Sequence, residues 1–329
     1  MGLTVPSSEQ AFRIGFLVLP QFSHFAFTSA VEPLRMANQL AGQTHYEWPV
    51  ISVDGSAITA SNGLSVGTDA AMADSTHYQM VFVCGGTDIQ HAFDERILNW
   101  LRRLALHDVA LGGLCTGTYV LARADLLNGY RATIHWQQIS SIHEQLLFPL
   151  TEFVSDLFVI DRDRYTCSGG VAPLDLMLNI IRKQKGSALA EAISEEFIHE
   201  RIRTHSDEQR NPLRAHLGSG HPKMEDAVRL MEANIEEPLT LDELAYHVGV
   251  SRRQLERLFK RYINNAPTRY YLALRLNRAR QLLLQTNYSI IEAATACGFA
   301  SPSHFSKCYH DFFGRPPNDE RSWYRESLG

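Results

Sequence analysis

Four short stretches in the first half of the chain are apolar at nearly every position: RIGFLVL (13–19), YEWPVISV (46–53), QMVFVCGG (79–86) and VALGGLC (109–115). Runs of this length, rich in β-branched residues and lacking polar alternation, predict strands buried on both faces, as in a parallel sheet covered by helices. Between them, FTSAVEPLRMANQL (27–40) and DERILNWLRRLALH (94–107) carry apolar residues at helical spacing. Strand and helix in alternation predict an α/β three-layer sandwich with right-handed crossovers. Functional residues then belong at the carboxyl ends of the strands, where CGG (84–86) and Cys115 fall.

From about Gly186 the pattern turns wholly helical. LAEAISEEFIHERIR (189–203) predicts one helix, and THSDEQRNPLRAHLGSGHP (204–222) has little periodicity and predicts a linker. The expected division is therefore 1–203, a linker at 204–222, and an all-α domain at 223–329.

The last segment repeats itself. TLDELAYHVGVSRRQLERLFKRYINNAP (240–267) aligns with SIIEAATACGFASPSHFSKCYHDFFGRPP (289–317), Ala245 on Ala294 and Gly249 on Gly298. After a one-residue insertion Leu255 falls on Phe305, Phe259 on Tyr309 and Pro267 on Pro317. Each copy reads helix, glycine turn, helix, and TRYYLALRLNRARQLLLQT (268–286) predicts a long helix joining them. In such a unit the second helix enters the major groove. The expected reading helices are Arg252–Ile263 and Pro302–Phe313. Leu255, Leu258, Phe259 and Tyr262 take inward positions on the first, leaving Arg253, Glu256 and Arg257 as readers of bases or phosphates. On the second, Phe305, Tyr309 and Phe312 go inward, and Ser303, His304, Ser306 and Lys307 are left outward.

Charge reinforces this reading only when it is taken locally. The whole chain carries a net charge of −5, which by itself disfavours a nucleic-acid partner. From Val250 to Arg315, however, eleven Lys or Arg stand against Glu256, Glu292 and Asp311, a surplus of eight positive charges. The motifs AATACGFASPSHFSKCYHDFFGRPP (293–317) and LDELAYHVGVSRRQLERLFK (241–260) make this segment resemble the AraC/XylS family of bacterial transcription regulators. That resemblance implies two reading helices in successive major grooves of a double-stranded DNA operator, with activation by contact with RNA polymerase.

The stretch GGLCTGTYVLARADLLNGYRATIHW (112–136) raises a different chemistry. A cysteine at the start of a helix is stabilised as thiolate by the dipole and free N–H groups, Gly85 and Gly86 offer amides to an oxyanion, and His135 offers a base. RIGFLVLP, the helix acid Glu32 in AVEPLRMA, VCGG, GLCTGTYVLA and ATIHW together are similar to the class I glutamine amidotransferase-like superfamily, which includes PfpI-type proteases. The resemblance implies a flavodoxin-like fold for the first domain. Amidotransferases of this class carry His-x-Glu, whereas Trp136-Gln137 follow His135, so the orienting carboxylate is missing. The fusion itself is similar to regulators of glycine betaine, carnitine and arginine catabolism.

The expected function is accordingly a DNA-binding transcription regulator without enzyme activity, its old pocket reused for a small nitrogenous effector, a quaternary amine or an amino acid. Glu32, Gly85, Gly86, Cys115, Thr116, His135 and Trp136 are the candidate lining, with backbone amides near Thr116 and the Gly85–Gly86 turn as carboxylate binders. Phe22, Phe25 and Trp136 are candidate faces for a quaternary cation. Each ring also fits a plain core position, and His24 fits either a pocket donor or an exposed loop. An active cysteine hydrolase or amidase tethered to DNA is the alternative, and a redox sensor built on Cys115 a third. Five scattered cysteines without CxxC pairing predict free thiols and neither zinc nor another cofactor. The N-terminal MGLTVPSSEQ lacks the basic start and apolar core of a secretory leader, and no apolar run is long enough for a bilayer, so a cytoplasmic protein is expected; the first domain is further expected to form a homodimer.

Overall fold

Ile14 to Val18 are all buried, because this strand lies at the middle of a sheet with helices on both sides. The structure, a computed structural model, describes residues 11–74, 77–144, 147–204, 207, 209, 222–263, 265–286, 288–320 and 322. Apart from 204, 207, 209 and 222, the expected linker lies outside the described residues. The chain divides into two units, Met1–Gln209 and Arg210–Gly329.

The first unit contains strands β1 (Phe12–Val18), β2 (Tyr46–Glu47), β3 (Val50–Ser52), β4 (Ile58–Thr59), β5 (Ser65–Val66), β6 (Ala70–Ala71), β7 (Met80–Cys84), β8 (Ala110–Leu114), β9 (Arg131–Ala132), β10 (Glu152–Phe153), β11 (Phe158–Asp161) and β12 (Arg164–Cys167). Its helices are α1 (His24–Ala41), α2 (Glu95–Leu106), α3 (Gly117–Arg123), α4 (Trp136–Glu144), α5 (Ala172–Lys185) and α6 (Ser187–Glu196). The main sheet runs β11-β12-β8-β7-β1-β3-β6, with β2 also on β1, and only β11 is antiparallel. Side chains alternate along β1 as the pleat requires. Ile14, Phe16 and Val18 pack under α1, α5 and α6 with Leu34, Leu176 and Ile193. Leu17 and Leu19 face the opposite layer, where Ile97 and Leu101 of α2 meet Val120 and Leu121 of α3. This is the flavodoxin-like three-layer sandwich.

Two expected elements differ. The single strand expected at 46–53 is divided into β2 and β3, because Pro49 between them has no N–H to give to a ladder, although its carbonyl still accepts from Phe16 N at 2.9 Å. The helix expected at 189–203 stops at Glu196; Ile198 is left-handed (φ 52°), and Arg203 turns back to the buried carboxylate of Asp175.

The second unit holds α7 (Pro222–Ala233), α8 (Leu241–Val248), α9 (Arg252–Tyr262), α10 (Pro267–Gln285), α11 (Ile290–Ala296) and α12 (Pro302–Phe313). Capping boxes start α8 (Thr240 with Glu243), α9 (Ser251 with Gln254) and α11 (Ser289 with Glu292), each satisfying two otherwise orphaned amides. The helix–turn–helix pair α8–α9 turns at Gly249 (φ 70°), and α11–α12 turns at Gly298 (φ 72°). A Cβ at Gly298 would stand 2.7 Å from Ile235 O, so glycine is required there on two counts. Each pair has its own core. Leu244, Leu255 and Phe259 pack with Tyr270 and Leu274 on the first half of α10, while Ala294, Phe305 and Tyr309 pack with Ala279 and Leu282 on its second half.

Candidate functional site

Leu114 ends β8 in register with Cys84 of β7 and Cys167 of β12, so three neighbouring strands stop at one level. The chain must then turn at once into α3, and Cys115 takes up the strain with φ 58°, a left-handed conformation unusual for a residue with a side chain. Its thiol is buried; a Cβ placed on Gly169 would stand 3.0 Å from Cys115 Sγ, so the Gly169–Gly170 turn closes over it. Burial pushes the thiol up to about 11, against a weaker opposing bond from the Thr116 amide. No hydrogen bond joins it to the His135 ring among the described residues. His135 is itself mostly shielded, and burial depresses its pKa below the ordinary 6.5. Its ring lies 5.7 Å from that of Trp136, at the start of α4.

Thr116 Oγ1 donates to Gly86 O at 2.7 Å, and Phe22 and Gly86 form an isolated antiparallel bridge. A Cβ on Gly86 would come within 1.9 Å of Gln21 O, so these two loops touch through backbone and admit only glycine. The Gly85 amide is spent on Leu114 O at 3.2 Å and is not available to an oxyanion, contrary to the sequence expectation.

Other expected residues are dispersed. Glu32 sits two turns into α1, half exposed and bonded to Arg35 (Oε2 to Nη2, 2.8 Å), which occupies its carboxylate. Phe22 is wholly buried, with its ring 5.7 Å from Phe27, and so offers no face to a cation. Phe25, the second residue of α1, is 60% exposed. His24 begins α1, with Nδ1 3.2 Å from Asn62 Nδ2. Thr118, Gly169 and Gly170 belong to this locality and were not read from the sequence; Thr118 Oγ1 is buried without a partner. The SGG of 168–170 at a strand end was the available signal. Among the described residues no group of three or more His, Cys, Asp or Glu is placed to hold a metal ion. No described helix is long and apolar enough to cross a membrane.

The second unit presents the other surface. On α9, Leu255 and Phe259 are buried, whereas Arg253, Glu256, Arg257 and Lys260 are exposed. Arg253 and Arg257 form no ion pair within the described residues, while Glu256 is held by Arg252 Nε at 3.2 Å. On α12, Ser303, His304 and Lys307 are exposed and Ser306 is half-buried. Phe312, expected inward, is 49% exposed. Phe313 takes its place, 4.6 Å from the Tyr309 ring and under the Arg280 guanidinium at 5.0 Å.

Comparison with known proteins fits both surfaces. The DJ-1/PfpI family model matches residues 12–183, and a helix-turn-helix domain model matches residues 244–322. The HTH-type transcriptional regulator GbdR of Pseudomonas aeruginosa is 50% identical over 316 residues, 96% of this chain and 86% of that protein. The regulator CdhR of the same organism is 43% identical over 93% of this chain and 90% of its own length. Among solved structures, an AraC family transcriptional regulator from Pseudomonas putida is 30% identical with a TM-score of 0.53, covering 56% of this chain and 99% of that one. The chain belongs to the AraC-type HTH transcriptional regulators that carry an N-terminal DJ-1/PfpI domain, and it is a DNA-binding regulator.

Proposed function

We propose that residues 1–203 bind a small nitrogenous metabolite, a betaine, carnitine or amino acid, at the strand ends around Cys115. Residues 204–222 link this domain to residues 223–329, which bind the operator, and the protein acts as a homodimer that activates catabolic genes through RNA polymerase. The observation that carries the effector reading is the state of Cys115. A thiol pushed up to about 11 by burial, with no base bonded to it among the described residues, is a poor nucleophile in a site otherwise built like one. The reactive-site scaffold then serves as a cleft with fixed polar groups. Thr116, Gly86, His135 and Trp136 remain the lining under this reading; Arg253, Arg257, Ser303, His304 and Lys307 face DNA.

A thermal-shift screen of glycine betaine, carnitine, arginine and polyamines tests it. A ligand at 100 times its dissociation constant stabilises its domain by about 2.7 kcal/mol. The reading requires a hit that survives incubation unchanged and alters operator binding or promoter activation.

The left-handed elbow at Cys115 favours a second reading, a working cysteine hydrolase. Consumption of the hit, abolished in Cys115→Ala, establishes that reading instead.

A further inference from the structure

After α6, the described residues of 197–204 together with Asp207 and Gln209 are fastened to both loops that bound the candidate site. The fastening starts at Asp175 of α5, whose carboxylate is fully buried. It accepts from Arg203 N at 2.7 Å and Arg203 Nε at 2.8 Å, with His199 Nε2 at 2.9 Å. These bonds hold the chain after α6 against α5.

Two rungs then follow on residues 155–157: Leu157 N donates to Asp207 O at 2.8 Å, and Gln209 N donates to Ser155 O at 2.7 Å. Leu157 O in turn accepts from Ser168 N at 2.9 Å, one residue before the glycine turn that covers Cys115. On the other side, Gln209 Nε2 donates to Thr133 Oγ1 at 2.8 Å and to Ile134 O at 2.9 Å, directly before His135. Thr133 N donates to Thr166 Oγ1 at 2.9 Å, which holds the His135 loop beside the end of β12. Among the described residues Gln209 Oε1 is buried without a hydrogen-bond partner, so this contact is made at a cost.

We propose that Gln209 is the catch of a latch that couples the strand-end site to the DNA-binding unit. A ligand seated between the Ser168–Gly170 turn and the His135 loop moves the acceptors of Gln209, releases the rungs at Ser155 and Leu157, and lengthens the tether that begins at Arg203. In the proposed homodimer, a longer tether changes the effective concentration of the second DNA-binding unit once the first is on the operator. The inference rests on the effector reading above.

Hydrogen exchange on the full chain tests both separately. The wild type is compared with Gln209→Leu and Gln209→Glu, each with and without a mixture of glycine betaine, carnitine and arginine as the probe. The expected wild-type result is a thermal shift with the mixture and exchange about fivefold to tenfold faster at the Leu157 and Gln209 amides, the loss of one or two hydrogen bonds. Both variants should exchange that fast without the mixture, still show the thermal shift, and keep β1 protected as evidence of an intact fold. A wild-type thermal shift with unchanged exchange at the Leu157 and Gln209 amides overturns the latch alone. Variants that respond like wild type overturn it too. Absence of any thermal shift removes the effector reading, and the latch with it.

Discussion

Cys115 and Cys308 differ in how the fold treats a thiol, although neither is paired. Cys115 is buried at 8% exposure beneath Gly169, and at pH 8 a group pushed up to about 11 is ionised in roughly one molecule per thousand. Cys308 is partly exposed on α12, with Sγ 3.4 Å from His304 Nε2. Limited alkylation with iodoacetamide at pH 8 should therefore give a first adduct that maps to Cys308, with Cys115 modified far more slowly. A first adduct on Cys115 would show a thiolate that burial does not suppress and would restore the nucleophile reading. His135 gives a second test at this scale. Its pKa is depressed in the fold by burial, so the folded state favours the neutral ring. The stability from this group is present above the ordinary value of 6.5 and is lost as pH falls through it toward the depressed value. The melting temperature of the α/β unit should drop between pH 7 and 5, and His135→Gln should flatten that drop.

Element starts show how much local chemistry the sequence contains. Ser251 accepts from Gln254 N at 3.2 Å while Gln254 Oε1 accepts from Ser251 N at 2.8 Å, a reciprocal pair at the start of the reading helix α9. Ser251→Ala should cost about 1 kcal/mol and lower the melting temperature of the second unit, with Ser251→Asp restoring most of it. If the melting temperature is unchanged by Ser251→Ala, the box contributes nothing in the folded unit. The capping boxes were not read from the sequence, whereas the turn glycines and the inward residues Leu255, Phe259, Phe305 and Tyr309 were legible because each depends on neighbours within four positions. Phe312 was not, since the choice between Phe312 and Phe313 is made by Arg280 on α10, far away in sequence. The end of α6 was missed for the same reason: periodicity continues through 203, but Asp175 claims Arg203 across the fold. In the candidate site the sequence identified Cys115 and His135 by residue type. It could not show that Gly85 spends its amide on Leu114, that Phe22 is sealed in the core or that Glu32 answers Arg35.

On the scale of the whole molecule, charge is divided by task as well as by position. The chain is acidic overall, and the positive surplus from 250 to 315 overstates what is offered to DNA. Arg275 donates to Cys297 O and Gly298 O, Arg278 is 5% exposed, and Arg280 and Arg315 both approach the buried carboxylate of Glu320. Arg275, Arg280 and Arg315 thereby tie elements of the second unit together, and Arg278 is buried against it. Arg253, Arg257, Lys260 and Lys307 are among the exposed basic residues and lie on α9 and α12, where they are able to displace counterions from phosphates. The two classes make opposite predictions in one experiment, operator binding measured from low to moderate salt. Arg257→Ala should reduce the slope of log K against log salt by about one while leaving the melting temperature within a degree or two of wild type. Arg280→Ala should leave that slope unchanged but destabilise the second unit by roughly 3–5 kcal/mol, because it strips a buried carboxylate of its main partner. Equal loss of slope in both variants would mean that Arg280 reaches DNA and that Glu320 is neutralised in another way. A normal slope in Arg257→Ala would remove Arg257 from the phosphate-contacting groups and leave that role to Arg253, Lys260 and Lys307.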